Sequence, residues 1–256
     1  MNAKLKQWIK NILVKSGVDL TKNIAYDRLT QKILKKNLRN TSSCMDIGAH
    51  KGEITDIMMR YAPEGKFWLI EPIPFFAKGL KDKYAGKKNV FVYNLALGNE
   101  NGEKEFHWVK NYPAYSGFFR RQYDHEDAEV EIIKVKSMRG DDLVGEEERI
   151  DFMKIDVEGA EYFVLQGCEN IISNYKPSIL FEFGMGAADV YGVSPEMMYD
   201  FFKYFEYDIF TLDGYLKNQK PLTFHQLEDC FFNNKEYYFF AKSQKSLNKN
   251  EQIFTD

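Results

Sequence analysis

Two short stretches, MDIGAHKGEIT and LIEP, have the residue types and spacing of a nucleoside site. In the first, Asp46 ends an apolar run and Gly48 and Gly52 follow, where a strand would pass into a helix. Gly48 permits backbone angles that side chains resist and would let a ligand approach closely, and free N–H groups of the turn would contact that ligand. Gly52 would allow tight packing at the start of the helix. The alternative is an ordinary strand-to-helix turn without a ligand.

The choice of ligand depends on Glu71, at the end of the second stretch. The turn reads D-x-G-x-x-x-G, and the chain lacks both the Gly-Lys-Ser/Thr ending of a P-loop and the G-x-G-x-x-G dinucleotide pattern. An acid at the strand end repels phosphate but suits a ligand with an amino group, a ribose and a positive centre. A carboxylate about twenty residues after such a turn accepts hydrogen bonds from ribose hydroxyls. These features favour S-adenosylmethionine; alternatively, Glu71 is a helix N-terminal charge before Pro72.

A third stretch, KIDVEGAE, contains the candidate catalytic residues Lys154, Asp156 and Glu158. In a strand FMKID, Lys154 and Asp156 point to the same side. Glu158 follows in the turn, and Glu182 ends the next strand. Carboxylates at neighbouring strand ends repel one another, so that one of them could become a general base, or Asp156 and Glu182 could bind Mg²⁺ or Mn²⁺. As alternatives, Glu158 caps a helix, Lys154 only pairs with the acids, and Glu161 is a first-turn helix charge.

Other candidate residues lie outside these motifs. His225, in TFHQLED, has a pKa range suited to a base or a metal ligand, although a lone histidine is usually structural or solvated. The segment NYPAYSGFFRRQYDHE is predicted to face the substrate, through Tyr115, Ser116, Arg120 and Arg121. If the arginines bind phosphate in a bidentate manner, the acceptor is phosphorylated or nucleotide-linked. Otherwise the segment is a surface loop with a basic tip.

Alternating strand and helix patterns must position these residues. From residue 42, apolar strands such as KFWLIEP and PSILFEFG alternate with helices at Glu53–Tyr61 and Phe75–Tyr84. AEYFVLQGCENIIS is predicted as one helix, and SPEMMYDFFKYFEY as another, with Ser194 as N-cap and Pro195 in the first position. DIFTLDGY and EYYFFAKS would close the sheet as an antiparallel pair. The pattern predicts an α/β, Rossmann-like fold with a mostly parallel seven-stranded sheet and helices on both faces.

The composition is that of one large globular domain: 256 residues, 44% of them apolar and 29% charged. Residues 1–40 carry ten Lys or Arg and two Asp, a net charge of +8, whereas the whole chain has a net charge of −3. The remaining body is therefore acidic, which argues against a nucleic-acid partner. Cys44, Cys168 and Cys230 show no paired spacing and fit a reducing cytoplasmic location. No apolar run approaches the roughly 18 residues of a membrane span.

The basic N-terminal segment has its own helical pattern. An apolar stripe recurs through residues 5–13, and a second helix is predicted from about Ile24 to Leu38. We expect residues 1–40 to form a helical cap or a homodimer contact, residues 41–243 to form the main domain, and residues 244–256 to be a polar tail. A basic amphipathic helix can also lie on an anionic membrane surface, which is the alternative here.

Several motifs together resemble the FkbM-type methyltransferases, a branch of the class I S-adenosylmethionine-dependent fold. The matching segments are MDIGAHKGEIT, LIEPIPFFAKGL, NVFVYNLALGNENGE, SGFFRR and IDFMKIDVEGAEYFVLQG, followed by PSILFEF. They follow the family order over roughly residues 42–184. The family commonly has Asn where this chain has His50. The resemblance implies O-methylation, often of sugar or polyketide-like hydroxyls.

The resemblance also implies a cofactor site at the ends of the first three strands. Asp46, Gly48 and Gly52 would line the methionine part of the cofactor, and Glu71 would hold the ribose. Residues after the third strand would lie near the adenine or the edge of the cofactor. The full set of expected cofactor residues is Asp46, Gly48, Ala49, His50, Gly52, Glu71, Pro72, Asn94, Ala96, Leu97 and Asp156.

Three functions follow from these observations. The first is O-methylation of a sugar hydroxyl, on a nucleotide-linked sugar or a surface-glycan precursor. The second is methylation of a different acceptor, such as a phosphoramidate, an amine or a nucleic acid. The third is a non-catalytic scaffold that binds S-adenosylmethionine. The presence of Asp46, Glu71 and Asp156 together speaks against loss of the cofactor site and favours an enzyme.

Overall fold

The structure is a computed structural model that describes residues 22–121, 126–145 and 148–244. The apolar stripe through residues 5–13 and the predicted tail from residue 245 onward lie outside these residues. The second predicted N-terminal helix is confirmed as α1, Lys22–Asn37. Its buried residues include Tyr26, Ile33 and Leu34, which pack into the core of the main sheet. Helix α1 thus covers one face of the sheet.

A seven-stranded sheet forms the centre of the fold, in the order β3-β2-β1-β7-β8-β10-β9. The first five of these strands are parallel to one another, and β10 runs antiparallel to both β8 and β9. The predicted mostly parallel sheet with a closing antiparallel pair is therefore confirmed. Its strands are β1 (Cys44–Ile47), β2 (Phe67–Ile70), β3 (Val90–Tyr93), β7 (Phe152–Ile155), β8 (Ser178–Glu182), β9 (Tyr207–Thr211) and β10 (Tyr238–Ser243).

Helices cover both faces of this sheet because its central strands are apolar on both sides. In β1, Met45 and Ile47 belong to one core and Cys44 to the other, as expected from the alternation of side chains along a strand. The helices after α1 are α2 (Glu53–Tyr61), α3 (Pro74–Lys83), α4 (Gly140–Leu143), α5 (Glu161–Gln166), α6 (Glu169–Tyr175), α7 (Pro195–Tyr204), α8 (Leu212–Leu216) and α9 (Phe224–Phe232).

Helix α7 begins as its sequence predicts, whereas the helix predicted before it is divided. Ser194 is the N-cap of α7 and accepts a hydrogen bond from the Met197 N–H at 3.2 Å, with Pro195 in the first turn. The segment predicted as one helix forms α5 and α6, with a break at Gly167. A Cβ at Gly167 would overlap the backbone oxygen of Gly98. The close approach of that connection requires glycine at the break, and Asp141 accepts the N–H groups of Asn170 and Ile171 at the start of α6.

A second, three-stranded sheet has the order β4-β6-β5. It contains β4 (Ala96–Leu97), β5 (Gly102–Val109) and β6 (Val130–Met138). The stretch NVFVYNLALG therefore contributes β3 to the main sheet and β4 to the small one. A 3₁₀ turn, Pro113–Tyr115, follows β5. This sheet places the predicted substrate segment beside the main sheet.

The parallel arrangement brings several strand ends to one edge. β1, β2, β7 and β8 all end there, and the antiparallel β10 begins there, with Tyr238 paired to Glu182 across the sheet. Cys44, Cys168 and Cys230 are free and buried. Within the described part of the chain, no helix combines the length and the apolar character that crossing a bilayer requires.

Candidate functional site

A cleft of about 440 Å³ opens at the edge where these strands end. It brings together most of the residues predicted from the sequence, from both the cofactor and the catalytic sets. Helix α1, the small sheet and the start of β10 form its remaining walls. The predicted residues that line the cleft are Asp46, Gly48, Ala49, His50, Glu71, Pro72, Ala96, Leu97, Ser116, Lys154, Asp156, Glu158 and Glu182.

The glycines of the first turn serve close packing within the protein. Gly48 has φ 78°, and a Cβ there would overlap the backbone oxygen of Asp156. Gly52 has φ 72°, and a Cβ there would lie 2.5 Å from the Tyr84 hydroxyl, which agrees with the predicted packing at the helix start. Close packing against the neighbouring strand end is thus a reason for Gly48 that the sequence did not indicate, and approach of a ligand stays a prediction, since Gly48 also lines the cleft.

The N–H groups of this turn are also used within the protein. Gly48 and Ala49 both donate to the Ile70 carbonyl at 3.0 Å, and Gly52 donates to the Ala49 carbonyl at 2.7 Å. The His50 N–H donates to the Glu71 carboxylate at 2.8 Å. For these four N–H groups the prediction of free donors is wrong, because the end of β2, the Glu71 side chain and the turn itself accept them. The side chains of the cleft are therefore the stronger candidates to hold a ligand.

Asp46 provides one such side chain. It is buried, with 2% exposure, and its Oδ2 accepts a hydrogen bond from the Thr55 hydroxyl at 2.6 Å. Its other oxygen, Oδ1, has no hydrogen-bond partner among the described residues and lies 3.6 Å from Lys154 Nζ. A buried carboxylate oxygen without a donor is costly, so this atom suits a ligand that brings a cationic donor.

Glu71 is held in a fixed orientation at the end of β2. Its two carboxylate oxygens accept the N–H groups of His50 and Ile73 at 2.8 and 2.9 Å. Burial raises the pKa of Glu71 to about 7, although these hydrogen bonds and Lys154 oppose the increase. Each oxygen keeps a further lone pair, so the group can still accept hydrogen bonds from a diol.

His50 lies beside Glu71 as a neutral ring. Burial, together with the charges of Lys51 and Lys154, lowers the pKa of His50 to about 4. The imidazole ring packs against Phe76, with ring centroids 4.2 Å apart. His50 therefore contributes a flat, uncharged surface to this end of the cleft.

Lys154 lies between Asp46, one of the predicted cofactor residues, and Asp156, one of the predicted catalytic residues. Its amino group donates to the Gly48 carbonyl at 2.8 Å and lies 3.6 Å from Asp46 and 3.5 Å from Asp156. Burial opposes the charge of Lys154, but the carboxylates of Asp156 and Asp46 outweigh it and raise the pKa. Lys154 therefore remains protonated and acts as a fixed cation, not as a base.

Three carboxylates, Asp156, Glu158 and Glu182, form a cluster with oxygens within 4.8 Å of one another. Tyr238 donates to Asp156 Oδ2 at 2.8 Å. Burial disfavours ionisation of Asp156, but Lys154 and the hydrogen bonds to the carboxylate lower its pKa. Burial and the neighbouring Asp156 raise the pKa of Glu182 well above its usual range. The cluster thus holds an ionised Asp156 next to a protonated Glu182.

Glu158 is partly buried, and its carboxylate has both a raised pKa and an ion pair with Arg121. Its backbone has φ 61°, and its Oε2 accepts a hydrogen bond from Arg121 at 2.8 Å. Burial and the Asp156 carboxylate raise the pKa of Glu158 to about 8, while Arg121 acts in the opposite direction. Glu161, the alternative first-turn charge, begins α5 and accepts the N–H groups of Val157 and Gly159.

The predicted substrate arginines do not both face the cleft. Arg121 is 8% exposed, donates to the Ala114 carbonyl at 2.5 Å and to Glu158, and lies 5.4 Å from the centre of the Tyr115 ring. Arg121, Arg120 and Tyr115 are not among the residues that line the cleft, whereas Ser116 is. Because Arg121 pairs with a buried carboxylate, the structure does not support its predicted role in binding phosphate.

Three further predicted residues lie away from the cleft surface. His225, in the first turn of α9, has an 88% exposed side chain next to Glu228 and does not join the carboxylate cluster, so its predicted catalytic role is not supported. Asn94 donates to the carbonyls of Glu71 and Pro72 and fixes the turn after β2 from outside the cleft. Gly52 lies behind the turn, against Tyr84.

Sequence reasoning missed one wall of the cleft. Asn23, Tyr26 and Thr30 of α1, with Tyr237 and Tyr238, line the side next to β8. The sequence did contain a signal for Tyr238. An antiparallel strand EYYFFAKS next to the strand PSILFEFG places its first residues at the edge of the sheet where the parallel strands end. No pattern within α1 indicated which of its residues reach the cleft.

The position of the cleft and of its two acids matches a known arrangement. A cleft at the carboxyl ends of parallel strands, with an acid after β1 and another after β2, is the arrangement of nucleoside-binding α/β folds. The model of the methyltransferase FkbM domain matches residues 46–220, more than half of the chain.

The chain belongs to the FkbM methyltransferase family.

The resemblance predicted from the motifs is thereby confirmed, and the predicted α/β fold with a mostly parallel seven-stranded sheet agrees with it.

Solved structures align with this FkbM protein at low sequence identity. The FkbM methyltransferase of Methylobacillus flagellatus has 16% identity and a TM-score of 0.49, over 80% of this chain and 44% of that chain. This chain thus spans less than half the length of that protein. Aeropyrum pernix fibrillarin with bound S-adenosyl-L-methionine has 13% identity and a TM-score of 0.44, over 84% of this chain and 74% of that one. Among curated proteins, no sequence matches significantly.

Proposed function

We propose that this protein transfers the methyl group of S-adenosylmethionine to a hydroxyl group of a sugar, within a surface-glycan precursor. The observation that carries the proposal is the carboxylate cluster Asp156, Glu158 and Glu182 in the same cleft as Asp46 and Glu71. A hydroxyl is a poor nucleophile until its proton leaves, and this cluster places proton acceptors beside the residues suited to the cofactor. The nucleotide-linked acceptor predicted from the arginine pair is not carried forward, because Arg121 binds Glu158.

Two carboxylates, Asp46 and Glu71, would bind different parts of the cofactor. When bound, S-adenosylmethionine supplies a methyl group on a positively charged sulfur. Asp46 Oδ1, which lacks a donor among the described residues, would accept from the amino group of the methionine part. Glu71 would accept from the ribose hydroxyls, while the neutral His50 ring packs alongside.

Within the cluster, we assign the proton-accepting role to Glu158. A general base is most effective when its pKa lies near the working pH, and the pKa of Glu158 is raised to about 8. Lys154 and Tyr238 keep Asp156 ionised and fixed in place, so that it can accept a hydrogen bond from the acceptor. The high pKa of Glu182 leaves it protonated, which limits repulsion within the cluster.

Positioning supplies the larger part of the expected rate enhancement. An aligned acceptor oxygen and methyl group gain up to about 7–11 kcal/mol at the ideal limit. A general base contributes about 10²–10⁴-fold. Loss of Glu158 should therefore slow the reaction without abolishing cofactor binding.

A divalent metal was the predicted alternative to a base. The ligand oxygens of Asp156, Glu158 and Glu182 are close enough together to bind Mg²⁺ or Mn²⁺. However, Lys154 lies against Asp156 and Arg121 against Glu158, and a protonated Glu182 adds no charge. The cluster is thus already neutralised by protein cations and a proton, and we propose a base rather than a metal.

The experiment that tests this function uses S-adenosylmethionine with an isotope-labelled methyl group and a panel of glycosides. Labelled product should carry the methyl group on oxygen, as shown by mass spectrometry and NMR. Glu158→Gln should lower kcat by about 10²–10⁴-fold with little change in the affinity for S-adenosylhomocysteine. The matched control, Glu148→Gln, alters an exposed carboxylate paired with Lys66 and should leave kcat unchanged. Methylation on nitrogen, or full activity of Glu158→Gln, would refute the proposal.

A further inference from the structure

The wall of the cleft next to β8 is built by elements outside the family match. Asn23, Tyr26 and Thr30 come from α1, and Tyr237 and Tyr238 from the start of β10. All five residues fall outside residues 46–220, which the FkbM domain covers. This wall therefore comes from segments on either side of the matched domain, and Tyr238 donates to Asp156 of the carboxylate cluster.

Aromatic surface dominates this wall. The Tyr26 ring lies edge-on to Tyr237, with centroids 4.7 Å apart, and 5.7 Å from the Tyr238 ring. The Tyr237 hydroxyl donates to Asn23, and the Tyr26 hydroxyl donates to Glu236. Because these hydroxyls are bound within the protein, the wall presents ring surface held in a fixed position. Such surface favours the C–H face of a ligand over a charged group.

The charged residues that line the cleft also disfavour a charged acceptor. Its described lining contains two lysines, Lys51 and Lys154, and Lys154 lies between Asp46 and Asp156. Lys51 follows His50 in the chain, and its side chain is exposed. The acids that line the cleft are Asp27, Asp46, Glu53, Glu71, Asp156, Glu158 and Glu182.

This distribution is unfavourable to an anionic acceptor. A phosphate next to Asp156 would bring a like charge to a carboxylate whose cation, Lys154, is already shared with Asp46. Arg121, the cation nearest in sequence to the predicted phosphate contacts, is 8% exposed and paired with Glu158. A neutral polyhydroxylated ring, in contrast, can donate hydrogen bonds to carboxylates and lay its C–H face on tyrosine rings.

We propose that the wall formed by α1 and the start of β10 is the acceptor subsite, and that it selects an uncharged sugar over phosphorylated or nucleotide-linked forms. The proposal rests on the proposed function, since it names the acceptor class of the same cleft. Asn23 and Tyr237 are its specificity-determining residues: Tyr237 supplies ring surface, and Asn23 adds no positive charge to a wall that also contains Asp27.

The test is ligand-observed saturation-transfer NMR on the full chain saturated with S-adenosylhomocysteine. The probes are methyl glucoside, methyl galactoside and methyl mannoside, the corresponding sugar 1-phosphates, and methyl glucosaminide as a cationic probe. We expect at least one neutral glycoside to bind at least about tenfold more tightly than its phosphate. Calorimetry with S-adenosylhomocysteine alone, on the same sample, reports the cofactor site separately.

Substitutions at the exposed Asn23 test the electrostatic part, and Asn23→Leu controls for loss of the hydrogen bond that Tyr237 donates to Asn23. Asn23→Lys should narrow the preference for the neutral glycoside by up to about fivefold, the scale of an exposed charge pair. The matched control, Asn40→Lys, makes the same change at an exposed position outside the cleft and should leave the preference unchanged. Tyr237→Leu should weaken glycoside binding more than Tyr237→Phe, which retains the ring.

Each contrary result is decisive. Equal or tighter binding of the phosphates, binding of methyl glucosaminide alone, or no glycoside binding by protein that still binds S-adenosylhomocysteine would overturn the acceptor proposal and leave the methyltransferase function standing. Failure to bind S-adenosylhomocysteine would overturn the proposed function and, with it, the acceptor subsite.

Discussion

The packing of the first turn can be tested by Gly48→Ala. A Cβ at residue 48 would overlap the backbone oxygen of Asp156 and come within 3.0 Å of its carbonyl carbon. Backbone atoms in the middle of a sheet edge cannot rotate away as a side chain can, so the ends of β1 and β7 would have to separate. That movement would also displace Lys154 and Asp156, which flank the same contact.

The expected cost has two parts. An alanine at φ 78° loses roughly 1–2 kcal/mol from the left-handed backbone. Forcing an extra carbon into a close-packed contact adds about 1–3 kcal/mol. The free energy of unfolding should thus fall by about 2–5 kcal/mol in total, as measured by denaturant titration. Affinity for S-adenosylhomocysteine should fall as well, because Asp46 and Lys154 move apart.

Gly86→Ala is the matched control for this prediction. Gly86 has φ 81°, but no described atom outside its own chain neighbours lies within 4 Å of the position that its Cβ would take. This variant should lose only the backbone part, about 1–2 kcal/mol, and keep its cofactor affinity. Equal destabilisation of the two variants would refute the claim that Gly48 is needed for the contact with Asp156.

Further predictions concern the charged groups of the cleft. The folded-state pKa of Glu71 is raised to about 7. Between about pH 4.5 and pH 7 the folded protein therefore holds a proton that the unfolded chain has lost. The contribution of Glu71 to the free energy of unfolding should fall as the pH rises through that range. Glu71→Gln should remove up to about 3 kcal/mol of that pH dependence, measured as unfolding free energy at about pH 5 and about pH 8; an unchanged slope would contradict the assignment. Tyr238→Phe should raise the pKa of Asp156 and lower kcat about 10–100-fold, with cofactor affinity nearly constant; a loss of affinity instead would place Tyr238 in the cofactor site. Arg121→Met should destabilise the protein by about 3–5 kcal/mol, and the double variant with Glu158→Gln should recover part of the loss in a denaturation cycle, whereas additive losses would argue against the buried pair. Activity should persist in EDTA, and loss of activity restored by Mg²⁺ would favour a metal at the cluster.

The sheet and the first half of the site were accessible from the sequence because they depend on local patterns. Apolar strands ending in Asp46 and Glu71 indicated both the parallel sheet and its ligand-binding edge, and the strand FMKID placed Lys154 and Asp156 on one side. The parallel arrangement then brings these ends together without further information.

Features that depend on contacts between distant segments could not be predicted from the sequence. The need for glycine at Gly167 results from the approach of Gly98, and the engagement of Arg121 results from Glu158, 37 residues later in the chain. Sequence periodicity reports which face of an element is apolar, but not which neighbour a polar side chain meets. For the same reason Arg121 was interpreted as a substrate residue, and Tyr26 was not recognised as part of the cleft.

His225 illustrates a different limit. Its residue type suits acid–base chemistry, yet the helix that carries it points the side chain away from the cleft, with 88% exposure. A functional residue type is informative only when the fold brings it to the site, as it does for Asp156 and Glu182 at paired strand ends. Motif residues at strand ends meet that condition, and isolated residues on surface helices do not.

The central claim is that Asp46 and Glu71 hold S-adenosylmethionine in this cleft, and calorimetric titration with S-adenosylhomocysteine tests it most directly. The account expects saturable one-site binding that weakens by about 10–100-fold in both Asp46→Asn and Glu71→Gln, the scale of a hydrogen bond to a charged group. Asp213→Asn, which alters an exposed carboxylate on α8 paired with Lys217, should bind as the wild type does. Absence of binding by the folded wild-type protein, or unchanged affinity in both cleft variants, would contradict the account.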